Sequence, residues 1–154
     1  MVAGWVQNDL DLVKWVATNV EAAGAYWTDQ PSFAIGPVEV TGVGETTAVA
    51  FDCSNYVTFY DRSRLKIEFT AYSAPAGWQY TKYSYQYEKP ATTFVFRYDK
   101  HYDPKFEHKH GTECHVHVGT DHSRDRLPTR VAELDDVLER VRQYQQTREF
   151  DFYV

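Results

Sequence analysis

From Leu65 to Thr70 apolar and polar side chains alternate, with Leu65, Ile67 and Phe69 set against Lys66, Glu68 and Thr70. A period of two is the pattern of a strand with one dry and one wet face. The Ala74, Pro75, Ala76, Gly77 stretch that follows has turn chemistry, and the return strand it predicts runs from Trp78 to Glu88, with Tyr83, Tyr85 and Tyr87 on one face. Lys89 and Pro90 interrupt that run. A third strand, Thr93 to Asp99, sets Phe94, Phe96 and Tyr98 on one side and Val95, Arg97 and Asp99 on the other. Three strands joined by short connections predict an antiparallel meander. Farther along, Glu113 to Gly119 alternates again: Cys114, Val116 and Val118 face one way, His115 and His117 the other.

The ends of the chain change to helical spacing. Leu10, Val13, Val16 or Ala17 and Val20 predict a first amphipathic helix, with Asn8 or Asp9 as N-cap and Gly24 as stop. Between it and the meander, short β-rich runs near 33–41, 47–52 and 56–60 are broken by Gly36, Pro37, Gly42 and Gly44. At the other end, Pro128 can open a helix whose apolar face is Val131, Leu134, Val137 or Leu138, Val141 and Tyr144. No internal repeat or low-complexity linker interrupts the 154 residues, so the expectation is one α+β domain, 1–154. Its core would be a curved antiparallel sheet of about six or seven strands, packed by an N-terminal and a C-terminal helix.

Composition narrows the class. With 43% hydrophobic and 25% charged residues the balance is that of a globular domain, neither disordered nor membrane-embedded. No apolar run approaches the ~20 residues that cross a bilayer, and the N-terminus has no signal-like core, so the expectation is a cytoplasmic protein with no membrane partner. Two cysteines, Cys53 and Cys114, cannot build a disulfide framework; free thiols are expected, with a single bond between them as the alternative. The net charge of −6 is uneven: residues 1–60 hold seven acids against Lys14 alone, whereas residues 61–130 hold twelve Lys and Arg against nine acids. All six histidines fall in that basic middle, which offers a cationic face to an anionic substrate.

The candidate chemistry is concentrated between Arg97 and His122. His115 and His117 stand side by side on a polar strand face, His108 and His110 repeat the spacing, and Arg97 projects with Asp99. One use of such an array is proton transfer, since an imidazole with pKa near ~6.5 supplies both base and acid near neutrality. His108, His110, His115 and His117 are then the catalytic candidates, with Arg97 as phosphate clamp and Tyr98, Asp99, Lys109 and Arg124 as substrate contacts. Metal-free RNA cleavage fits that toolkit and needs no cofactor. The other use is zinc ligation by neutral imidazoles, with Asp99 or Glu113 completing the shell. Ordinary readings stand beside these: solvated histidines on a wet strand face, a same-face ion pair for Arg97 and Asp99, and a core role for Cys114 and the tyrosines. A non-catalytic domain that holds a protein partner is a further alternative. Gly-rich phosphate loops, nucleophile elbows, Cys-x-x-Cys and His-Glu-x-x-His motifs are absent.

From Leu65 to Tyr144 the order of a strand hairpin, an Arg-Tyr-Asp run, clustered histidines and a final helix resembles the TumE-type toxins of bacterial and archaeal toxin–antitoxin pairs. The resemblance is carried by Tyr83 and Tyr85, by Arg97, Tyr98 and Asp99, and by His108, Lys109 and His110; Lys100 stands where the family pattern has Asn. It implies a cytoplasmic toxin neutralised by an antitoxin with a DNA-binding domain. RNA as target and a homodimer as assembly are compatible with this, and ribonuclease activity is inferred from the residues.

Overall fold

The computed structural model describes residues 9–39, 47–74, 77–101, 114–119 and 126–149. Helix α1 (Asp9–Ala22) is followed by strands β1 (Ala25–Trp27), β2 (Phe33–Glu39), β3 (Thr47–Phe59), β4 (Arg64–Ala74), β5 (Gly77–Lys89), β6 (Thr93–Lys100), β7 (Cys114–Val118) and β8 (Arg126–Pro128), and helix α2 (Leu134–Thr147) completes the order. Every strand pair is antiparallel. From β3 to β8 the strands lie in chain order, the arrangement that short connections favour. The β3–β8 sheet is therefore the expected meander, extended to eight strands in all by β1 and β2.

β3 is one long strand where the sequence pattern suggested two. It stays continuous because its outer edge is shared: β2 pairs with Thr47–Cys53 and β1 with Val57–Phe59. Asn55 fills the gap between them, donating from Nδ2 to the Ser32 carbonyl at 2.8 Å and accepting from the Ser32 N–H at 2.6 Å. A side-chain amide thus completes the ladder where no strand backbone reaches.

One face of the sheet is apolar and covered by both helices, which also touch each other. Phe51, Val57, Leu65, Ile67, Tyr85, Tyr87, Phe96, Tyr98 and Val116 are fully buried there. The buried stripe of α1 is Leu12, Trp15, Val16 and Val20, so the face is rotated from the expected one, and Leu10 is left 58% exposed. The tryptophan wins this contest because it has more apolar surface to remove from water. Gly24 ends α1 at φ 70, a left-handed conformation that suits glycine.

Pro128 does not open the last helix. It closes β8 opposite His115, on an edge strand where a missing N–H is tolerated. The helix begins at Leu134 after Glu133, whose N–H donates to Asp136 Oδ2 at 3.1 Å. Val131 is accordingly outside the helix and exposed, while Leu134, Val137, Leu138, Val141 and Tyr144 are buried as expected. Two β5 tyrosines fasten the segment before the helix: Tyr83 Oη accepts from the Ala132 N–H, and Tyr80 Oη donates to Glu133 Oε2, each at 2.9 Å. Among the described residues no helix is long and apolar enough to cross a membrane.

Candidate functional site

The second sheet face is polar, and register decides which of its residues meet. β6 and β7 pair so that Arg97 lies opposite His117 and Asp99 opposite His115. On the other side of β6, Gln86 lies opposite Arg97 and Ser84 opposite Asp99. Because strand side chains alternate, all six point to the same face, and a one-residue slip would scatter them.

The side chains converge on one carboxylate oxygen. Arg97 Nε donates to Asp99 Oδ2 at 2.8 Å, and the Nε2 atoms of His117 and His115 lie 3.1 and 3.7 Å from the same oxygen. The two Nε2 atoms are 3.1 Å apart, and Arg97 Nη2 is 3.3 Å from that of His117. His117 Nδ1 is buried with no hydrogen-bond partner among the described residues. A buried polar atom left in that state costs ~1–3 kcal/mol.

Asp99, His115 and His117 are each 1% exposed. Burial by itself raises the Asp99 carboxyl, but the His117 hydrogen bond and the Arg97 charge outweigh it and hold the group below its ordinary value. The carboxylate is therefore ionised, and Arg97 is its cation. The route to solvent runs through Arg97, whose side chain is 27% exposed, and through His101, 45% exposed with Nε2 4.0 Å from Asp99 Oδ2. Next to His101 opens a cleft of about 340 Å³, lined also by Asp52, Ser54, Glu68, Thr70, Lys82 and Ser84. Its lining, which also includes Phe69 and Tyr83, adjoins the cluster at Ser84, the residue opposite Asp99.

Five of the residues marked by sequence have a described place, and four of them come together: Arg97, Asp99, His115 and His117. Tyr98 does not join them. Alternation turns it to the helix-covered face, where it is fully buried with its ring 5.5 Å from that of Phe96. His108, Lys109, His110 and Arg124 lie outside the described residues. The histidines are not the solvated pair of the ordinary reading, since β7 is buried on both faces. Sequence reasoning missed His101 and Ser84; continuing the alternation of β6 past Asp99 would have found His101.

The thiols are core groups. Cys53 and Cys114 are buried and not joined by a disulfide, on strands separated by three others. Burial is the main reason the Cys53 thiol is pushed up to about 12, which keeps it protonated and unreactive.

The family model described as Toxin TumE matches residues 37–147, which span β3 to β8 and the whole of α2. The chain belongs to the Toxin TumE family. The TumE match reaches upstream of Leu65 to take in β3 and the end of β2 from Pro37, and it contains Arg97, Asp99, His115 and His117. A TumE chain is by that description a toxin component, and a toxin of such a pair implies an antitoxin partner. No curated protein and no solved structure matches the chain.

Proposed function

We propose that this TumE-family toxin acts in the cytoplasm as a ribonuclease that needs no metal for chemistry, and that a DNA-binding antitoxin neutralises it. The observation that carries the reading is the convergence of Arg97, His115 and His117 on the Asp99 carboxylate beside an open cleft. A phosphodiester first meets the exposed part of Arg97, whose guanidinium offers paired donors to phosphate oxygens. His117 Nε2, 3.3 Å from that guanidinium, takes the proton of the attacking 2′-hydroxyl, and Asp99 Oδ2 at 3.1 Å stabilises the imidazolium that forms. His101 at the cleft wall returns a proton to the departing 5′-oxygen. The P–O bond to that oxygen breaks as the 2′-oxygen bond forms, leaving a 2′,3′-cyclic phosphate and a 5′-hydroxyl. Since the His117 ring is buried, substrate must uncover it, and Arg97 is the group that draws the phosphate there.

The same burial supports a second reading, in which the cluster is a structural polar core and the toxin acts by holding a protein partner without turnover. The test is induction in a host of wild type beside a His115→Ala, His117→Ala chain of equal abundance, with RNA ends mapped. Arrest and new cyclic-phosphate ends with wild type alone are expected. Equal arrest by both chains, with RNA intact, would discard the ribonuclease in favour of the second reading.

A further inference from the structure

The three atoms Asp99 Oδ2, His115 Nε2 and His117 Nε2 form a triangle with edges of 3.1, 3.1 and 3.7 Å. A circle through those corners has a radius of about 1.9 Å, so one point can lie about 2.1 Å from all three, the length of a zinc–nitrogen or zinc–carboxylate bond. Among the described residues this is the group of metal-ligating side chains that comes together. Its hydrogen bonding is also over-subscribed. His117 Nε2 faces the obligate donor Arg97 at 3.3 Å and the obligate acceptor Asp99 at 3.1 Å, with a second imidazole nitrogen at 3.1 Å. One ring nitrogen cannot donate and accept at once, whereas a cation accepts electron pairs from every member of the triangle.

We propose that Asp99, His115 and His117 bind a single first-row divalent transition-metal ion, and that the bound ion holds the toxin inactive. Two imidazoles and one carboxylate suit such ions and leave positions open for water. Arg97 works against the site. Its guanidinium shares the Asp99 oxygen and lies beside His117, so its charge weakens binding, and affinity is set by the balance of one anion and one resident cation. The inhibitory part rests on the ribonuclease reading, because a nitrogen bound to metal cannot take a proton; the binding part does not.

The probes are zinc and cobalt(II), added to chain purified without a polyhistidine tag and stripped of metal. One equivalent of zinc by calorimetry, a rise in melting temperature that a chelator reverses, and a visible cobalt absorption band are expected from wild type. A His108→Ala, His110→Ala chain should keep all three signals. Asp99→Asn and the His115→Ala, His117→Ala chain should lose them, and Arg97→Gln should tighten zinc binding about tenfold or more. A wild-type protein with no cobalt band and no saturable zinc binding overturns the site, whatever the variants do. Full binding by the His115→Ala, His117→Ala chain overturns it equally. Zinc should also suppress RNA cleavage by metal-stripped protein, and chelator should restore it. Zinc bound with cleavage unaffected would overturn the inhibition. Zinc bound by a protein that never cleaves RNA would support the site and remove the ribonuclease instead.

Discussion

Val116 and His115 are neighbours on β7, both sealed from water, and they point to opposite faces of the sheet. Val116 lies with Ile67, Tyr85, Phe96 and Tyr98 under the helices, where stability comes from apolar area removed from water and from close packing. His115 lies with Asp99 and His117, where burial costs free energy unless each charge finds a partner. Removing atoms from the first region leaves a cavity. Removing one partner from the second leaves an uncompensated charge, while removing the whole set leaves little penalty. Equal burial therefore conceals two different responses to mutation, and five variants separate them.

The largest expected effect is in the apolar region: Phe96→Ala should lower the unfolding free energy by ~3–5 kcal/mol in urea denaturation. A loss below about 1 kcal/mol would mean that this face is not the main source of stability. Next, Asp99→Ala should cost ~3 kcal/mol by stranding Arg97 beside two imidazoles, whereas Arg97→Met with Asp99→Leu should cost less than that single change. A double variant worse than Asp99→Ala would erase the distinction between the faces. Tyr83→Phe, which keeps the ring but removes the acceptor of the Ala132 N–H, should cost ~1–2 kcal/mol and is read from the shift in melting temperature. Smallest is Lys66→Ala. It breaks the Lys66–Glu68 pair at 3.1 Å, but both side chains are more than a third exposed, so the loss should stay below about 0.5 kcal/mol. That value sets the baseline for charge on this face without burial.

The meander was legible because alternation is imposed by strand geometry and fixes which residues share a face. Leu65, Ile67 and Phe69, the β5 tyrosines and Cys114 with Val116 all lie where the period of two puts them. The same rule put Arg97 with Asp99 and His115 with His117. It also put Tyr98 with Phe94 and Phe96, so the contact role assigned to Tyr98 ran against the period that the structure keeps. The helix start was misplaced at Pro128 because a proline fits an edge strand as well as a first helical turn, and nothing local distinguishes them. The face of α1 was misjudged because periodicity counted Leu10 and Val13 equally with Trp15, whose larger side chain had more to bury.

The chain by itself determined the alternation of β4 to β7, the apolar face of α2 and the clustering of His and Arg residues in a basic middle. These follow from periodicity and composition, which are local. Tertiary structure alone decided that β6 and β7 are neighbours in a register placing Arg97 across from His117 and Asp99 across from His115. It also decided that this polar group is buried and that a cleft opens at His101. Register and depth are sums over contacts between residues distant in sequence, so no window of the chain contains them, and the chemistry of this face depends on both.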